Sequence, residues 1–174
     1  MNPLQIVAGT PVWVWPLLAL LVFLGIRALR PTTAPIWRIA ILPAIFFVWG
    51  LISLFNLHGF ALSRSLPWAV AFVGGAGIGM LIANSQSIRA DKTHRLVHVP
   101  GGALTLVLIL LIFVTKYVFG FLHATQPAQF AQPRFWLTEI VISGVLAGMF
   151  IGRFVGLWRQ YRAAPHADLT VSSA

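Results

Sequence analysis

Long apolar runs alternate with short polar breaks along the whole chain. The five runs lie at about 12–29, 39–57, 66–84, 103–123 and 135–158. Each is close to the ~20 residues that an α-helix needs to cross ~30 Å of hydrocarbon at ~1.5 Å per residue. The runs are continuous and lack period-two alternation, which argues against a membrane β-barrel. The pattern predicts an all-α integral membrane bundle of five transmembrane helices in a single domain over residues 1–162. The small, polar segment 163–174 reads as a disordered tail.

The breaks are explicit. Pro31-Thr32-Thr33-Ala34-Pro35 separates the first two runs, Pro100-Gly101-Gly102 precedes the fourth, and Thr125-Gln126-Pro127-Ala128-Gln129 separates the last two. Pro11, Pro16, Pro43 and Pro67 fall near the starts of their runs, where a missing N–H costs least. Pro43 is the deepest, so a bend is expected there. In segment 85–100, apolar-rich stretches ending at Asp91 and Val99 flank Lys92-Thr93-His94-Arg95. This predicts a small β-hairpin against the membrane, with a short amphipathic helix as the alternative.

Charge gives the bundle a direction. Arg27, Arg30, Arg38, Arg89, Lys92, Arg95, Arg153, Arg159 and Arg162 collect on one side, and only Arg64 and Arg134 on the other. The positive-inside rule makes the first side cytoplasmic, so an odd number of spans puts the amino terminus outside and the carboxyl terminus in the cytoplasm. Residues 1–10 carry almost no charge and are easy to translocate. No basic stretch precedes the first run, and it ends at Arg27 and Arg30 without a small-x-small site, so a retained span is expected rather than a cleaved leader. Trp13, Trp15, Trp49, Trp68 and Trp136 fall near the outer borders, and Trp37 and Trp158 near the inner ones, as indole rings at headgroup level should.

Composition agrees. Of 174 residues 59% are hydrophobic and 9% charged, where a soluble domain carries about a quarter charged residues. The net charge of +9 sits at the ends of apolar runs rather than in a basic stripe, which points to anionic lipid and not to nucleic acid. The chain has no Cys, which excludes disulfides, thiolate catalysis and Cys-ligated metal centres.

Glycine spacing marks two helix faces. Gly144, Gly148, Gly152 and Gly156 recur every fourth residue in the fifth run, a glycine zipper. Gly75 and Gly79, with Gly74 and Gly77 beside them, lie in the third. Such faces let backbones approach closely in lipid, where apolar burial drives little association. Packing of the third helix on the fifth within one protomer is the favoured reading, and self-association through the fifth is the alternative.

Two charges lie inside apolar runs, Lys116 and Glu139. A loop centred near residue 127 puts them at equal depth in an antiparallel hairpin. Each alone costs about 2.5–3.5 kcal/mol at a helix centre and less towards the ends. Three readings remain: a structural ion pair, two side chains snorkelling to the outer interface, or part of a proton or ion path.

Other chemistry finds little support. His94 and His98 have a spacing that suits a metal only in a helix, and no ligand-rich cluster accompanies them. His58, His123 and His166 lie on helix ends, loops or the tail, which disfavours haem. There is no G-x-S-x-G, phosphate loop, H-E-x-x-H or dinucleotide fingerprint, and only three widely separated acidic residues. No catalytic, cofactor or metal residue is assigned.

Several short motifs occur together: Trp13-Val14-Trp15, Arg27-Ala28-Leu29-Arg30-Pro31, Arg89-Ala90-Asp91, Leu96-Val97-His98-Val99-Pro100-Gly101 and Ile112-Phe113-Val114-Thr115-Lys116-Tyr117. The set resembles a family of small uncharacterised proteobacterial inner-membrane proteins, defined only as a domain of unknown function, over most of the chain. The resemblance implies a multi-pass protein of the bacterial inner membrane and draws attention to Arg89, Asp91 and Lys116. It brings no reaction or cofactor. The expected role is that of a structural or accessory protein, not an enzyme, acting on membrane lipids, other membrane proteins or a second copy of itself. A small transporter or channel component using Lys116 and Glu139 is the alternative.

Overall fold

The computed structural model describes residues 12, 14–58, 62–126, 128 and 132–169, with the side chains of 53–58, 62 and 64 left out of account. The expected translocated terminus 1–10, Trp13, the Arg64 and His58 side chains and the last tail residues 170–174 lie outside the described residues. The described residues are mostly helical. The described helices are α1 (Val14–Arg27), α2 (Ile36–His58), α3 (Leu62–Asn84), α4 (Ala103–Thr125) and α5 (Pro133–Ala163). α3 from Ser65, α4 and α5 are long and apolar enough to cross a membrane, whereas α1 and the stretch Ile36–Ile52 of α2 are shorter apolar helices.

Local chemistry sets the helix ends. α5 begins with Pro133 in its first turn, where a missing N–H breaks no helical bond. Pro43 sits inside α2 and leaves the carbonyl of Ile39 without its helical donor. Large apolar side chains cover the bundle exterior: Val70, Val73 and Leu81 of α3 are 66%, 69% and 72% exposed. Water would penalise such a surface, but hydrocarbon does not.

α5 packs chiefly on α3, next on α2, and over a shorter stretch on α4, while α1 lies against α4. The α3–α5 seam is backbone against backbone. A Cβ at Gly75 or Gly79 would run into the carbonyls of Val145 and Met149, and one at Gly148 or Gly152 into those of Phe72 and Ala76. Gly144 lies 2.7 Å, measured from an ideal Cβ, from the Trp68 carbonyl, and Gly156 lies 2.6 Å from the Ala83 methyl. Gly74 and Gly77 point into open space. One core cluster joins Leu21, Phe46, Ile109, Ile112, Leu146 and Phe150, and another joins Trp68, Ile140 and Ala147. Trp68, in the second turn of α3, faces the protein rather than its surroundings. It is 7% exposed and stacks on Phe72 with centroids 5.1 Å apart.

The all-α expectation needs a correction. Three strands, β1 (Thr32–Pro35), β2 (Arg89–Asp91) and β3 (Leu96–Val99), form an antiparallel sheet in the order β1-β3-β2. β2 and β3 are the hairpin of segment 85–100. β1 is the proline-flanked break between the first two runs. Thr32 and Thr33 are β-branched and favour extended backbone, but a strand of four residues carries no periodic signature and its partner is remote in sequence. The sheet ties α1 to α4: Gly102 N–H donates to the Ala28 carbonyl at 3.1 Å, and Gly101 packs against the backbone of Leu29 and Arg30 too closely for a Cβ.

The tail also differs from expectation. Residues 164–169 lie against the sheet, with Ala167 N–H donating to the Ala90 carbonyl at 2.9 Å and Leu169 buried. The order comes from these contacts at the edge of β2, which composition does not reveal.

Candidate functional site

The structure brings Lys116 and Glu139 together. Lys116 Nζ lies 3.6 Å from Glu139 Oε1, with side chains 19% and 8% exposed. That separation is longer than a tight charge-assisted hydrogen bond but well within ion-pair range. Glu139 Oε2 is buried and accepts no hydrogen bond among the described residues. Beside Lys116 is a cavity of about 20 Å³ lined by Thr115, Ser143 and Trp49 among others. A single water needs about 10–15 Å³ measured this way, so the space has room for about one water. Near the opposite end of the α4–α5 seam, Arg153 Nη1 donates to Thr105 Oγ1 at 3.0 Å, so the two polar contacts bracket an antiparallel register.

Asp91 occupies a different place, at the hairpin turn, and it is fully buried. Oδ1 accepts from the backbone N–H groups of Thr93 at 2.9 Å and His94 at 3.0 Å, and Oδ2 lies 3.0 Å from His94 Nδ1. Leu169 N–H from the tail donates to Oδ2 at 3.4 Å. The His94 backbone N–H is the largest cause holding the Asp91 carboxyl at about 2, below its ordinary 3.8. Burial opposes it, while the His94 ring and Leu169 N–H assist. Arg95, the last residue of the turn, has φ 55°, a left-handed conformation that a non-glycine residue takes only at some cost. Lys92 joins the hairpin to the tail: its N–H donates to His166 Nδ1 at 3.2 Å and its Nζ to the Arg162 carbonyl at 3.2 Å. Asp91 thus acts as the hub of hairpin and tail. Arg89, singled out with it, is exposed on β2.

His94 and His98 do not converge. His98 Nδ1 is 3.0 Å from Thr33 Oγ1, across the β1–β3 pair. Among the described residues no group of three His, Cys, Asp or Glu could hold a metal.

Arg153 is the residue that sequence reasoning undervalued, since it reads there only as a topology marker. It lies between α4 and the end of α3, donating to Thr105 and, at 3.4 Å, to Gln86 Oε1. Its Nε is buried and has no hydrogen-bond partner among the described residues. Only its place within an apolar run, ahead of Arg159 and Arg162, could have signalled this.

Three helices long and apolar enough to span a bilayer, an exterior of bare aliphatic side chains and a buried charge pair between helices define the class: a membrane protein of unknown activity. The chain belongs to a family of unknown function, DUF6622, whose model matches residues 2–167. No curated protein and no solved structure matches it.

Proposed function

We propose that the chain is a five-span protein of the bacterial inner membrane, with its amino terminus outside and its sheet and carboxyl terminus in the cytoplasm. It acts as a structural or accessory component through helix and lipid contacts and has no catalytic activity of its own. The observation that carries this reading is the mostly buried Lys116–Glu139 contact. A transport path needs continuous hydration beside its ionisable groups, and the cavity beside Lys116, about 20 Å³, has room for about one water. The pair therefore reads as a clamp between α4 and α5. Nine basic residues on the sheet side against two on the other support the orientation. The glycine zipper supplies the rigidity that an accessory scaffold requires.

The test is ion flux in proteoliposomes of the purified full-length protein. The expected result is a proton or cation leak equal to that of empty vesicles, unchanged in Glu139→Gln. A protein-dependent flux that Glu139→Gln abolishes overturns the reading in favour of a transporter.

A further inference from the structure

We propose that the cleft between α1, α2, α4 and α5 at the sheet end binds one anionic phospholipid. Its phosphate sits among Arg27, Arg38 and Arg153, and an acyl chain lies along the apolar wall beneath. The inference rests on the reading above, in which this end of the bundle faces the cytoplasmic leaflet.

The cleft has two continuous parts that share Leu24, Arg38, Thr105 and Arg153. The deeper part, about 420 Å³, is walled by Leu42, Ile45, Ile109 and Phe150. The part nearer the sheet, about 230 Å³, adds Arg27, Arg30 and Thr32. Four arginines thus line one space, and among the described residues no Asp or Glu lines either part. Like charges gathered in a partly apolar cleft repel one another unless an anion sits among them. Arginine suits a phosphate in particular, because its planar fork donates to two oxygens at once and is weakly hydrated. Arg153 is fixed at the wall of the cleft, its Nη1 donating to Thr105 Oγ1 and its Nη2 to Gln86 Oε1, and each of these nitrogens keeps a second N–H for an acceptor. The charge lies beside the sheet and the apolar wall runs away from it, which is the order of a lipid's headgroup and tail. A free phosphate would satisfy the arginines but leave the aliphatic wall uncovered, so the lipid is the occupant that accounts for both.

The test uses the full-length protein in detergent, read by native mass spectrometry and by melting temperature. The probes are phosphatidylglycerol, phosphatidylcholine and inorganic phosphate. The expected result is retention of one phosphatidylglycerol per chain with a raised melting temperature, and at least fivefold weaker retention of phosphatidylcholine. Arg38→Gln should weaken phosphatidylglycerol binding at least fivefold. Arg95→Gln, the same charge change on the hairpin turn outside the cleft, should leave it unchanged. Arg38 is exposed, with its guanidinium 5.8 Å from the Trp37 ring centre, so its loss spares the core. Arg27→Gln serves as a second variant.

Equal retention of phosphatidylcholine overturns the proposal. So does an equal effect of Arg95→Gln, which means bulk charge only, or an equal stabilisation by inorganic phosphate, which means a free-anion site. Loss of lipid specificity with the vesicles still ion-tight leaves the accessory reading standing. A flux that depends on Glu139 refutes that reading whatever the lipid result.

Discussion

Lys116 and Glu139 show how far one residue pair can be read in advance. Their equal depth follows from the position of the loop between α4 and α5, and the 3.6 Å contact follows once both helices turn these side chains inward. Breaking a buried pair by removing one partner leaves an uncompensated charge and costs about 3–5 kcal/mol. Lys116→Glu and Glu139→Lys are each expected to lower the melting temperature in detergent, and the double swap to recover at least half of either loss. A double variant no better than the singles contradicts direct pairing. Asp91 behaves differently, because its partners come from the turn and from the distant tail, which spacing does not reveal. Its folded pKa of about 2 lies below the ordinary 3.8, so the ionised group stabilises hairpin and tail at higher pH, and that contribution is lost as pH falls from about 4 to about 2. Melting temperatures across that window should fall more steeply in the natural protein than in Asp91→Asn, which cannot ionise. Equal slopes contradict the assignment.

At the scale of elements, the α3–α5 seam depends on which face each glycine presents. Leucine at Gly148 drives a side chain into the backbone at Phe72, where nothing can yield. Overpacking of this kind costs about 1–3 kcal/mol or more, which lowers melting by several degrees in a chain of this size. Gly74→Leu has open space and is expected to be neutral in the same melting assay. Similar losses for both variants contradict the seam geometry. The repeat of Gly144, Gly148, Gly152 and Gly156 makes this face visible in sequence, because a fourfold spacing on a helix is a local property. β1 is not visible in the same way. It is too short to have a period, and its pairing with β3 depends on α1 and α4 already lying side by side. Arg153 escapes for a related reason: its acceptors, Thr105 and Gln86, come from two other parts of the chain.

At the scale of the molecule, the hydrophobic pattern, the charge asymmetry and the bundle point to the same arrangement: five helices, a small sheet at the basic end and a tail folded back on it. The chain contains no cysteine, so single-cysteine variants report on one site each. The most direct test is labelling by a membrane-impermeant maleimide in right-side-out vesicles. Ser63→Cys, in the first turn of α3, and Gln126→Cys, after α4, are expected to label at once. Thr33→Cys in β1 and Lys92→Cys in the hairpin are expected to label only after the vesicles are opened. Labelling of Thr33→Cys or Lys92→Cys in intact vesicles, or protection of Ser63→Cys or Gln126→Cys, contradicts the five-span account.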